Sequence, residues 1–217
     1  MVPAELEKIA AVCIKHNLVV LTDEIYSELT YEGRPHHSIA TIPGMRERTV
    51  LLHGLSKAFA MTGWRLGYMG ASLAIAKACD KMQGQFTSAT CSIAQRAAIA
   101  ALDSPLTATM SMKAAFQKRR DLVYELIKEI PGFITNKPAG AFYFFPDVTY
   151  YFGKKHAGGT INNAEDLCMY LLTEANVAVV SGDSFGSPNN IRFSYATTEE
   201  NLRIAMQRIK VELAKLV

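Results

Sequence analysis

The sequence predicts an α/β fold, and two observations carry the prediction. In the first half, short apolar runs rich in β-branched residues alternate with helical patterns and loops. Their order is helix, strand, loop, strand, loop, strand, helix, which argues for a largely parallel sheet with helices. In the second half, strands and helices mix without βαβ regularity, which argues for a smaller α+β domain.

The elements follow in order. "PAELEKIAAVCIKH" sets Leu6, Ile9, Ala10, Cys13 and Ile14 at helical spacing, with Pro3 near the start. "NLVVLT" has the pattern of a strand buried on both faces, and "YEGRP" that of a turn. "RTVLLH" is a second buried strand and "RLGYMGA" a third, with a helix next, from about Leu73 to Met82. "TCSIAQRAAIAAL" is helical, and "TATMSMKAAFQKRRDLVYELIKEI" is one long helix ended by Pro131-Gly132. "GFITN" and "GAFYFFPDV" predict strands joined by a turn at Lys137-Pro138, and "NNAEDLCMYLLTEAN" a helix with an asparagine cap. "VAVVSG" and "NIRFSY" are short strands. The last helix opens on "TTEE", where Thr197 and Glu200 have the spacing of a capping box. The predicted domains are 1–103 and 104–217, bridged by a helix over about 107–130. Three strands make a small sheet, so either it is small or part of it lies in polypeptide outside this chain.

Composition narrows the function classes. The 217 residues are 49% hydrophobic and 20% charged, which suits a globular protein with a real core. A net charge of +3 without any run of lysine or arginine gives no nucleic-acid-binding stripe. The four cysteines form no CxxC pair, and three of them lie in apolar helical patterns. They are expected to be reduced, buried thiols of a cytoplasmic protein. The first residues lack the basic-then-apolar pattern of a signal peptide, and no apolar run approaches the roughly 20 residues of a membrane span. His36-His37 lies in a polar loop with no third ligand at a useful spacing, so no metal site is expected. His53 closes a strand, where a satisfied, half-buried histidine is expected rather than a catalytic one.

Four stretches carry chemistry: "TDEIYSEL", "GLSKAFAMTGWRLG", "KPAGAFYFF" with Gly140 and Tyr143, and "SGDSFGSPNNIRFSYATTEENL". Together they resemble the fold-type-I aminotransferases of class I/II that use pyridoxal 5'-phosphate, most of all the bacterial aspartate aminotransferases. The likeness runs from about Leu6 to Leu213, and the order of motifs is that of the family's C-terminal half. It implies the last part of a pyridoxal-phosphate-binding large domain followed by the small domain. It also implies transfer of an amino group between an amino acid, aspartate, and a 2-oxo acid, 2-oxoglutarate. The mechanism implied is ping-pong, through a lysine Schiff base, in a homodimeric cytoplasmic enzyme. A lyase or synthase on the same scaffold, or a non-catalytic effector-binding module, are the alternatives. Because the motifs of the family's first half are absent, this chain alone is expected to bind the cofactor weakly or not at all.

The resemblance assigns roles that the chemistry supports. Lys57 supplies the amine, which works best partly desolvated among neighbours such as Phe59 and Met61. Arg65 offers a planar fork of donors for the phosphate and Ser56 a hydroxyl, while Gly54 and Gly63 let the backbone approach. At Gly54 relatives often carry a phosphate-binding hydroxyl side chain. Asp23 pairs with the pyridinium nitrogen and Tyr26 hydrogen-bonds the phenolic oxygen. Arg192 grips the substrate α-carboxylate.

Overall fold

A computed structural model describes all 217 residues, Met1–Val217. The chain divides into two units, Met1–Lys113 and Ala114–Val217, and the division falls inside its longest helix.

In the first unit, α1 (Pro3–Lys15) carries Pro3 in its first turn, where the missing N–H is one the helix would leave unpaired anyway. Leu6, Ala10 and Cys13 form its buried stripe. They pack with Ile39 and Met45 in one apolar cluster, which Val20 and Ile42 join. Ile9 and Ile14 share the helical spacing but face outward. β1 (Val20–Asp23) pairs in parallel with β2 (Thr49–Gly54), from Val20↔Thr49 to Asp23↔Leu52. β3 (Gly67–Gly70) runs antiparallel to β2, with Gly54 opposite Gly67. The sheet, in order β1-β2-β3, is therefore mixed rather than largely parallel. The reason lies in the Leu55–Leu66 link, whose only helical pieces are tight turns. It contains no crossover helix to return the chain in the parallel sense.

β1 is also not buried on both faces. It is an edge strand with alternating exposure, and Leu21 is 69% exposed. A neighbour on only one side leaves its apolar residues half covered.

α2 (Leu73–Phe86) continues past Met82 through Gly84, and α3 (Ser92–Asp103) follows. α2 buries none of its residues and α3 only Ala94 and Ala98. Cys79 and Cys91 are consequently exposed, whereas Cys13 and Cys168 are buried; all four are free thiols.

The longest helix, α4 (Thr107–Lys128), enters the second unit. There β4 (Tyr143–Phe144) is shorter than its apolar run suggests, and "GFITN" contributes only an isolated bridge, Ile134↔Asp147. Gly132 and Pro146 bracket these segments with breaker residues, which limits the ladder. β5 (Lys155–His156) and β6 (Gly159–Thr160) form a small hairpin that the sequence pattern does not reveal. α5 (Ala164–Thr173) is capped as expected: the Asn163 side chain accepts from the Asp166 N–H at 2.9 Å. β7 (Val180–Ser181) and β8 (Ile191–Ser194) complete an antiparallel sheet in the order β4-β8-β7. α6 (Glu199–Leu213) buries Leu202, Met206, Ile209 and Leu213 at helical spacing. Its cap is Thr198, one residue later than the expected Thr197, and accepts from the Asn201 N–H at 3.2 Å. The Thr197 hydroxyl instead accepts from the Asn201 side-chain amide. No helix is long and apolar enough to cross a membrane.

Candidate active site

The parallel pair β1 and β2 delivers two chemical segments side by side. Asp23 ends β1 opposite Leu52, and the turn carrying Lys57 leaves the end of β2. Strand ends of this kind are where open α/β sheets bind ligands. Asp23 is exposed rather than buried, because β1 is an edge strand. Its Oδ1 accepts from the Ile25 N–H at 3.1 Å, an Asx-type turn that fixes the carboxylate, and it has no cationic partner in the chain. Tyr26 follows in that turn, half-buried.

Lys57 is half-buried in a tight helical turn. Phe59 and Met61 both donate their N–H groups to the Leu55 carbonyl, and the Ala60 N–H donates to that of Lys57. Ala60 holds a left-handed φ of 53°, a position rarely taken by a residue with a side chain. A buried threonine pins this turn: the Thr109 hydroxyl, in the first turn of α4, donates to the Ala58 carbonyl at 2.7 Å. The sequence patterns give Thr109 no role, because a threonine in a helical stretch looks like any other.

Beyond the turn, Arg65 takes the left-handed conformation, φ 53° and ψ 47°, as the cap of the 3-10 turn Thr62–Trp64. Glu32, also charged and exposed, shares this left-handed φ, so it is the cavity beside Arg65 that gives its position meaning. Arg65 donates one bond, to the Thr62 carbonyl at 3.0 Å, and has no carboxylate partner. It lines a cavity of about 230 Å³ with Ile25, His53, Gly54, Ser56, Leu66 and Gly67. Gly54 and Gly67 face each other across β2 and β3. A Cβ on Gly54 would lie 3.1 Å from the Gly67 Cα and 3.2 Å from the Leu66 carbonyl oxygen. The glycines let the two strands close on one another and leave backbone at the cavity wall. A guanidinium, a hydroxyl and open backbone around one small space suit a phosphate dianion, so the residues present fit the phosphate end of pyridoxal phosphate. Gly63, expected to help, does not line this cavity.

In the second unit, Arg192 lies on β8 with Ile191 and Phe193 buried on either side of it. Tyr143 pairs with Ser194, so Arg192, two residues along, shares its face and reaches its ring. The guanidinium carbon is 4.7 Å from the Tyr143 ring centre and 4.4 Å from that of Phe185. A half-buried cation thus has two aromatic rings within cation–π distance, and it has no acidic partner in the chain. The in-plane donors of a guanidinium are the part that binds a carboxylate bidentately. Phe185 is held there by the 3-10 turn Gly182–Phe185. A Cβ on Gly182 would come 2.1 Å from the Ser187 carbonyl oxygen, so only glycine fits. Tyr143 stands in a motif singled out above; Phe185 went unassigned because aromatic residues in loops usually pack.

His36 is exposed in its loop, as expected, but it is anchored. Its Nε2 lies 2.7 Å from Oε2 of the buried Glu24, whose Oε1 also accepts from the Ser38 hydroxyl at 2.6 Å. Tyr68, on β3 beside the cavity, has its hydroxyl pKa raised by burial and by nearby Glu28.

A strand-end carboxylate, a lysine on the following turn and an arginine at a glycine-walled cavity, in an α/β unit, define a fold-type-I pyridoxal-phosphate transferase. The chain belongs to the family "Aminotransferase class I and II", which it matches over residues 1–209. It is 46% identical over 218 residues to the bifunctional aspartate aminotransferase and glutamate/aspartate-prephenate aminotransferase of Petunia hybrida, covering 97% of this chain and 45% of that one. It is 41% identical to the aspartate aminotransferase of Geobacillus stearothermophilus, over 94% of this chain and 51% of that one. The crystal structure of the Rhizobium meliloti aspartate aminotransferase superposes with a TM-score of 0.95 at 37% identity, covering all of this chain and 55% of the other. The chain thus spans about half the length of the relatives it matches. These shares give the extent of the likeness and not its position along the relatives. The family's enzymes depend on pyridoxal phosphate.

Proposed function

We propose that this chain is about half of an aminotransferase that moves an amino group between aspartate and 2-oxoglutarate. The observation that carries this is the meeting of Gly54, Ser56 and Arg65 around one cavity, on the turn that bears Lys57. Pyridoxal phosphate, when bound, supplies an electron sink that makes the substrate α-C–H acidic. The remaining work falls to the chain. Arg65 and Ser56 hold the phosphate. Asp23, without a cation of its own, holds the proton of a pyridinium nitrogen, and Tyr26 donates to a phenolic oxygen. Lys57 carries the cofactor and moves a proton at its Nζ. Arg192, beside the rings of Tyr143 and Phe185, binds the substrate carboxylate with its in-plane donors. Aspartate as the amino donor is supported by the relatives, which are aspartate aminotransferases. Four unbridged thiols support a reducing cytoplasm, and we infer a homodimer for the whole enzyme from its family.

The test uses reduction with borohydride after incubation with pyridoxal phosphate, on this chain and on one extended at its N-terminus. The expected result is a phosphopyridoxyl adduct concentrated on Lys57, stronger in the extended protein. Labelling spread evenly over surface lysines in both would overturn the assignment. For Arg192, Phe185→Leu removes one ring contact and is expected to weaken carboxylate binding by about two- to fivefold, the equivalent of an exposed cation–π contact; an unchanged affinity would refute a role for that ring.

A further inference from the structure

His53 closes β2 and lines the cavity beside Gly54 and Ser56. Its ring is held at three points. The backbone N–H of Gly54 donates to Nδ1 at 2.8 Å. A backbone amide can only donate, so Nδ1 is the acceptor and the ring proton sits on Nε2. Nε2 then donates to the Ser27 hydroxyl oxygen, 2.8 Å away. The ring also stacks on Tyr68, with centres 5.3 Å apart and an interplanar angle of 23°.

These contacts join two segments that lie far apart in sequence. Ser27 follows Tyr26 directly, and Gly54 opens the turn that carries Ser56 and Lys57. The same Asp23–Ser27 segment is anchored on its other side through Glu24. That residue's N–H donates to the Leu52 carbonyl, and its carboxylate accepts from Ser38 and meets His36. Asp23 and Tyr26 therefore sit on a segment fixed at both Glu24 and Ser27.

We propose that His53, in its neutral Nε2–H form, is a positioning residue that couples the Asp23–Tyr26 segment to the Gly54–Lys57 turn and sets their spacing for the cofactor. The proposal rests on the pyridoxal-phosphate reading of the site. His53 acts through Ser27 and Gly54 and transfers no proton itself. Its value is preorganisation: groups that grip the two ends of one small molecule must keep a fixed separation before it arrives.

Two measurements on the 217-residue chain test it. The first is two-bond 1H–15N spectroscopy of the imidazoles, with hydrogen exchange at the Gly54 amide. The expected result is a His53 ring protonated on Nε2 alone, and a Gly54 amide that exchanges faster in Ser27→Ala. A ring protonated on Nδ1, or exchange that does not change, would overturn the coupling. The second is borohydride trapping of pyridoxal phosphate at Lys57, read by peptide mass at a temperature where every variant is folded. Ser27→Ala and His53→Leu are expected to need about fivefold more cofactor for half-trapping, the equivalent of one net hydrogen bond. His53→Gln, which offers an amide donor toward Ser27, is expected to recover part of that loss. A residue that only stabilised the fold would leave trapping in the folded variants at the wild-type level, and that outcome refutes positioning. Trapping with no preference for Lys57 in the wild type would instead refute the cofactor reading, and the spectroscopy then judges the coupling on its own.

Discussion

Replacing Thr109 with valine isolates one interaction at the base of the Lys57 turn. The two side chains have the same shape and nearly the same helix propensity, so neither a cavity nor a backbone preference enters. What disappears is the hydroxyl that donates to the Ala58 carbonyl at 2.7 Å. Thr109 is 3% exposed and Ala58 1%, so water does not replace the donor. A buried acceptor left unpaired costs about 1–3 kcal/mol. Thr109→Ser keeps the bond and removes one methyl, worth about 0.8 kcal/mol. The expected order of stability is wild type, then Ser, then Val, measured by urea unfolding at constant m-value. Hydrogen exchange across Leu55–Met61 should rise in Val but not in Ser, because that turn loses its anchor. A valine variant as stable as wild type, or a serine variant less stable than valine, would refute the account.

Other substitutions probe other parts of the site. Arg65→Gly should relieve the strain of a left-handed residue, about 1 kcal/mol, so thermal stability should rise while phosphate retention falls; a drop in both would mean the conformation is not strained. Gly182→Ala should destabilise the second unit by about 1–3 kcal/mol, through the clash with the Ser187 carbonyl, as measured by thermal melting. The thiols should alkylate in a fixed order as pH rises. The Ala94 and Ile93 N–H groups lower the pKa of exposed Cys91, whereas burial, then Glu165 and Asp183, push Cys168 up to about 12. Cys91 should therefore react at a pH below that of an ordinary thiol, and Cys168 last; peptide mass mapping across pH reads the order. Asp121 adds a dependence in acid. Burial alone would raise its pKa, but hydrogen bonds from Lys137 and Arg120 outweigh it and hold the carboxyl low. Its contribution to stability is present above the usual carboxylate pKa and is lost as pH falls through the depressed value, an effect that Asp121→Asn should remove from the acid limb of unfolding.

The site segments were legible in the sequence because their chemistry is local. Lys57, Ser56 and Arg65 fall within one short stretch, and the tight turn that carries them needs the small residues written beside them. The helices were legible for the same reason, since their spacing repeats along the chain. The sheet was less so. The antiparallel sense of β3 depends on the length and content of a link, and the exposure of β1 depends on which strands flank it; neither is a property of the strand's own residues. The anchors were least legible. Thr109 meets Ala58 and Ser27 meets His53 across 51 and 26 residues, and a hydroxyl gives no sign in sequence of the distant partner it will find.

Arg192 has one more consequence. A cation held without an internal counter-ion makes the folded unit a partner in a binding equilibrium. Any carboxylate that docks on the guanidinium lowers the free energy of the folded state and not that of the unfolded chain. The melting temperature of the second unit then becomes a gauge of ligand, rising with the logarithm of carboxylate concentration. A panel of mono- and dicarboxylates can be ranked by heat alone, with no turnover required.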